Sequence, residues 1–300
     1  MADDNIIQGV CPIIATPFTD DGDVDYESLR NEVAVLAASG CHVAALFGIA
    51  SEFFKLSDVE RERMVDVVTE AADDHDLPLV ISVTHESTEV AVEWARSYAD
   101  AGADTLMVFT PNFLGPSQEN VLEHVRKIGE AVSIPVMVQH HDLSVGISPS
   151  AFADLYASTP NVRYFKIETN PPGPFISTLL EETNDEVDIF IGSAGTQMID
   201  AYQRGASGVM PAAALHELYL EIHETYHDGN LAEALDLHAD MLAIQNVVGQ
   251  IGIQAEKRLL ARRGIVATDR CREPLPAAPD DVQEELLELC FERIEPILDR

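Results

Sequence analysis

The sequence predicts an α/β protein, a (β/α)8 TIM barrel with a C-terminal helical extension. Eight short apolar runs rich in Val, Ile and Phe alternate with longer amphipathic stretches, and further helical patterns follow the last run. The runs are approximately Cys11 to Phe18, His42 to Gly48, Leu77 to Val83, Thr105 to Phe109, Ile134 to His140, Val162 to Glu168, Asp188 to Ser193 and Gly208 to Ala212. Near-continuous apolar runs of this length suit parallel strands buried on both faces. An open doubly wound sheet is the alternative. It is disfavoured because no Gly-x-Gly-x-x-Gly turn follows the first run, and eight units suit closure.

Helical segments fall between the runs, at Tyr26 to Ser39, Ser57 to Asp74, Ser87 to Ala101, Ser117 to Val132 and Ser148 to Ser158. Ser57, Ser87, Ser117 and Ser148 are expected N-caps, and Ser57 with Glu60 has capping-box spacing. Gly40, Gly102 and Gly205 stand where a left-handed C-cap suits glycine. Beyond the eighth run, Leu215 to Leu260 and Asp281 to Leu298 read as helices, separated by a connection with Pro274, Pro276 and Pro279. The expected organisation is a catalytic barrel over residues 1–213 and a helical extension over 214–300 that packs on it and takes part in oligomer contacts.

Composition narrows the partners. The 52 acidic residues against 18 Lys and Arg give a formal charge of −34, dispersed along the chain as in Asp20-Asp21 and Glu181-Glu182. Such a field repels nucleic acid and anionic membranes. The chain is too apolar for acidic disorder, so the charge is read as adaptation to a salt-rich cytoplasm. No run reaches a membrane-spanning length, and the opening Met1 to Ile7 has neither the basic flank nor the apolar core of a signal peptide. Cys11, Cys41, Cys271 and Cys290 are too scattered for a zinc site or a disulfide framework.

In a (β/α)8 barrel, reactive groups sit at the C-terminal ends of strands. Those ends carry Ala15-Thr16-Pro17-Phe18, Gly48-Ile49-Ala50-Ser51-Glu52, Gln139-His140-His141-Asp142, Tyr164-Phe165-Lys166-Ile167-Glu168 and Gly192-Ser193. Lys166 is a charged residue inside an apolar run, and only four lysines occur, at 55, 127, 166 and 257. Burial disfavours an ammonium, leaving the neutral amine that attacks a ketone; the alternative is an ion pair with Glu168, two residues along on the same side. The His140-His141-Asp142 cluster admits a metal reading. Adjacent strand residues face opposite ways, however, so a polar loop that orients substrate or moves a proton is the competing reading, with a plain solvated loop as the third.

These residues, in this order, resemble the dihydrodipicolinate synthase and N-acetylneuraminate lyase superfamily over nearly the whole chain. Ala15-Thr16-Pro17-Phe18 resembles its first-strand motif, Gly48 to Glu52 stands where members carry Gly-Thr-Thr-Gly-Glu, and Ile134-Pro135-Val136 opens the fifth strand. The resemblance implies a barrel, usually tetrameric, that acts on pyruvate or a related 2-keto acid without metal or organic cofactor, with Lys166 as the Schiff-base lysine. It also marks two departures. Gln139 replaces a proton-relaying tyrosine, and Ile49 or Ala50 replaces a relay threonine.

The branch most similar contains 2-keto-3-deoxy sugar acid dehydratases and aldolases. The expected catalytic set is Lys166, Gln139 and His140, with His141 or Glu168 as further acids or bases. Ala50, Ser51, Glu168, Gly192 and Ser193 are the expected substrate-binding residues. The substrate carboxylate would meet the backbone N–H groups of Ala50 and Ser51, with the Ser51 hydroxyl as a further donor and Gly48 permitting the turn. The alternatives are a 4-hydroxy-tetrahydrodipicolinate synthase and a silent barrel that only binds a sugar acid.

Overall fold

The computed structural model describes residues 7–143, 145–275 and 277–298. Pro276 and the first six residues, on which part of the sequence reading fell, lie outside the described residues. Eight strands occur among the described residues: β1 (Gly9–Val10), β2 (Ala44–Leu46), β3 (Leu79–Ser82), β4 (Thr105–Phe109), β5 (Val136–His141), β6 (Val162–Glu168), β7 (Asp188–Ile191) and β8 (Gly208–Val209). They form one sheet in the order β1-β8-β7-β6-β5-β4-β3-β2, and the fold is a (β/α)8 barrel with C-terminal helices.

The helices between the strands are α1 (Tyr26–Ala38), α2 (Asp58–Asp73), α3 (Thr88–Asp100), α4 (Gln118–Ala131), α5 (Pro149–Ser158), α6 (Gly173–Glu182) and α7 (Met198–Gln203). After β8 come α8 (His216–His227), α9 (Leu231–Ile251), α10 (Ile253–Arg262) and α11 (Asp281–Leu298). No helix among the described residues is long and apolar enough to cross a membrane.

Local chemistry explains most boundaries. Ser57 and Glu60 close the capping box of α2, and the Ser117 and Ser148 hydroxyls accept from Asn120 N–H and Ala151 N–H. Each such cap stabilises its helix by about 1 kcal/mol. Ser87 stands at the N-cap of α3 as expected, but its hydroxyl donates to Glu89 and accepts no helix N–H. Gly40, Gly102 and Gly205 have φ of 81°, 109° and 104°, as helix-stop glycines require.

The first and last runs are shorter as strands than their apolar length predicts. Pro12, Pro17 and Pro211 have no N–H to give a ladder, so regular pairing stops at Val10 and Val209. Ile13 alone continues it, bridging Ala45 and Ala212 in parallel.

The chain packs as two compact units. One comprises the described residues through Gly9 with Pro78–Met210; the other comprises Val10–Leu77 with the chain from Pro211 onward. In the first, the parallel register aligns Phe109 with Gln139, Gln139 with Lys166, and Lys166 with Phe190, while His141 aligns with Glu168. Neighbours in a parallel register share a face, so these side chains form successive rows on one side of the sheet.

Candidate active site

Lys166 lies on β6 with only 4% of its side chain exposed, and its Nζ stands 3.4 Å from Glu168 Oε1. The ion pair that the sequence offered as the alternative for Lys166 is present, and Lys166 shares its row with Gln139. Gln139 Nε2 donates to Glu168 Oε2, and Ser193 N–H donates to Oε1 at 2.9 Å. Glu168 thus receives a cation and two hydrogen bonds.

Burial works to raise the Glu168 carboxyl. The Lys166 charge, the Ser193 N–H, the Gln139 amide and His141 together outweigh it, and the group stays below the usual carboxylate range. Glu168 is an anion at neutral pH. Gly192 makes this arrangement possible, because a Cβ there would lie 2.2 Å from Glu168 Oε1.

His140 is not part of this row. Its ring lies 5.2 Å from Phe152 on α5 and 5.1 Å from Phe175 on α6, on the helix side of β5. Burial there pulls it down to about 4, offset in part by Asp142 and reinforced by His141, so it is neutral near pH 7. Strand alternation sends His141 the other way. Its ring is 6.3 Å from Phe109, and its Nδ1 accepts from Leu143 N–H at 3.0 Å. Period-two alternation was already legible in the sequence and would have selected Gln139 and His141 over His140. Among the described residues, no group of three His, Cys, Asp or Glu side chains is arranged to hold a metal ion.

The turn after β2 belongs to the other unit, and most of its expected donors are spent there. The Ser51 hydroxyl donates to Ile14 O at 2.6 Å and the Ser51 N–H to Gly48 O at 2.9 Å. Ala50 N–H has no hydrogen-bond acceptor among the described residues. Gly48 has φ of −76°, an ordinary value; its missing side chain instead leaves room for Ile13, which a Cβ would approach to 2.8 Å. Phe47 and Glu52 carry the left-handed backbone of the turn, at φ of 64° and 52°.

A family model described as the dihydrodipicolinate synthetase family matches residues 6–291. The chain belongs to that family. Members similar to it include a 4-hydroxy-tetrahydrodipicolinate synthase of Methanothrix thermoacetophila, 30% identical over 78% of this chain and 79% of that protein. An L-2-keto-3-deoxyarabonate dehydratase of Azospirillum brasilense is 26% identical over 97% of this chain and 96% of its own. A crystal structure described as a putative dihydrodipicolinate synthetase from Pseudomonas aeruginosa superposes with a TM-score of 0.89, at 25% identity, over 96% of this chain and 99% of that one. As a member of the dihydrodipicolinate synthetase family, the chain is a class I Schiff-base lyase.

Proposed function

We propose that the protein is a 2-keto-3-deoxy sugar acid lyase that forms its Schiff base through Lys166. The observation that carries this reading is the joint hold of Gln139 and Lys166 on the Glu168 carboxylate, where the synthase motif has a tyrosine hydroxyl. The Lys166 ammonium and a ketone give a protonated imine and one water, with no net proton exchanged. Glu168 carries protons singly between Nζ and the departing oxygen, and its charge then stabilises the iminium cation. Glu168 next removes a C3 proton, and the electron pair moves to the iminium nitrogen as an enamine. Return of that pair expels the C4 hydroxyl, which leaves as water after protonation by the Glu168 acid.

Retro-aldol cleavage between C3 and C4 uses the same electron sink and is the neighbouring outcome. His141, in the same row as Glu168, is the further acid or base. Ser51 holds the turn after β2 and is not assigned to the substrate. The same reading takes the protein as a cytoplasmic homotetramer, as the family resemblance implies, and the charge of −34 supports a salt-rich cell as its setting.

The test is product analysis with 2-keto-3-deoxy pentonates and hexonates beside borohydride trapping with pyruvate. Wild type is expected to gain covalent mass and Lys166→Arg none, since a guanidinium offers no neutral primary amine. Dehydration keeps every carbon; cleavage releases pyruvate and an aldehyde. A second reading, condensation of pyruvate with aspartate semialdehyde, draws on the Methanothrix relative. Efficient consumption of that aldehyde with neither sugar-acid product would install it instead.

A further inference from the structure

We propose that Gly192 is a positioning residue, which with the N–H of Ser193 seats the Glu168 carboxylate against Lys166, so that a side chain at 192 and a seated Glu168 exclude each other. The inference rests on the lyase reading above and assigns Gly192 a steric and electrostatic task in place of contact with substrate.

Gly192 N–H donates to Ile167 O at 3.1 Å and so extends the β7 ladder by one residue. That register sets Gly192 beside Glu168, in the row that holds His141. A Cβ there would meet Glu168 Oε1, Cγ and Cδ at 2.2, 2.3 and 2.4 Å. No rotation of one terminal atom relieves three such contacts, so the glutamate must leave. Gly192 itself has φ of −100° and ψ of −137°, so it is not a left-handed turn residue, and the crowding by Glu168 is a need of space in its own right.

The backbone just beyond is bent to the same end. Ser193, Ala194 and Gly195 follow with φ of 49°, 51° and 67°. Left-handed backbone at a non-glycine residue costs about 1 kcal/mol, and two such residues in succession need compensation. The turn delivers the Ser193 N–H onto Glu168 Oε1 at 2.9 Å, the oxygen that also faces Lys166 Nζ. The groups that face Glu168 are Lys166 on its own strand, Gln139 and His141 on β5, and this amide beyond β7. Displacing the carboxylate removes it from all of them at once.

Glutamate carrying 13C at its carboxyl allows Glu168 to be titrated by NMR in wild type and Gly192→Ala, its signal identified by loss in Glu168→Ala. The Glu168 midpoint is expected to rise by about one pH unit or more in Gly192→Ala, and the acid limb of pyruvate trapping to move with it. Adding Gly192→Ala to Glu168→Ala should change trapping less than twofold, because the residue acts through the carboxylate. An unshifted midpoint, or an equal loss in both backgrounds, overturns the proposal. If wild type traps no pyruvate, the reading of Lys166 fails, whereas the titration still decides the positioning. Should Gly192→Ala fail to fold, folding of the double variant supports the exclusion, and failure of both overturns it.

Discussion

His140 and His141 are chemically identical neighbours with opposite fates, because a strand turns successive side chains to opposite faces. Packed between Phe152 and Phe175, His140 has a buried Nδ1 with no hydrogen-bond partner among the described residues. Replacing a group left unsatisfied in this way by an apolar one of similar shape is close to neutral or stabilising. The pH consequence has a definite sign. An unfolded histidine takes up a proton below about 6.5, while folded His140 waits until about 4, so unfolding binds a proton in that window. Stability falls as pH drops from 6.5 towards 4, with a contribution on the order of 1–3 kcal/mol from this group. His140→Phe is therefore expected to trap pyruvate like wild type and to lose less stability between pH 7 and 5 in urea titrations. Loss of trapping in a folded His140→Phe would return His140 to the catalytic set.

Elements of the C-terminal region are fastened by buried charge. Lys257 on α10 pairs with Glu52 in the turn after β2, both nearly inaccessible, and the Lys257 ammonium lies 4.1 Å over the Phe18 ring. Lys55 adds a contact to Glu52 at 2.9 Å and also donates to Arg272 O, while Arg272 binds Glu60 at the start of α2. Burial holds Lys257 below its ordinary lysine value, although Glu52 acts against that shift. Removing one partner of a buried pair strands the other in a medium that cannot solvate it, at about 3–5 kcal/mol. Lys257→Met should lower stability by about 3 kcal/mol, with somewhat less if Lys55 takes over the carboxylate. Trapping per folded molecule should not change. A chemical denaturation curve matching wild type would show that the pair contributes nothing to the fold.

Across the whole molecule the sign of the charge balance decides the salt response. The surface ion pairs, such as Arg258 with Glu284, Arg204 with Asp200 and Arg30 with Glu70, are exposed and each contributes about 0–1 kcal/mol. Salt weakens those few attractions, but it also screens the repulsion among carboxylates that outnumber cationic side chains 52 to 18. Repulsion acts over many more pairs, so its relief should win. The melting temperature is expected to climb through a potassium chloride series from about 0.1 to 3 M, where the Debye length shrinks from about 10 Å to below 3 Å. A melt that is flat or highest in dilute buffer would remove the salt-rich setting and leave the chemistry at Lys166 untouched.

What the residues alone determined is local or periodic. The alternation of apolar runs and amphipathic stretches set eight βα units, Ser57 with Glu60 set the start of α2, and a lysine set between Phe165 and Ile167 in the run Val162–Glu168 singled out Lys166. Period-two alternation even held the answer for His141, since position 141 shares its parity with 139.

What only the tertiary structure decided is which separate elements meet. The register of β5, β6 and β7 brought Gln139, Lys166 and the Gly192–Ser193 turn onto one carboxylate, and gave Gly192 a task of space that no turn rule suggests. It also spent the Ser51 hydroxyl on Ile14 O of the first run and placed Lys257 on Glu52, some 205 residues away in sequence. The physical reason is that secondary structure follows from short-range sterics and hydrogen bonding along the chain. The partner of a buried polar atom is set by packing between segments whose separation in sequence carries no signal.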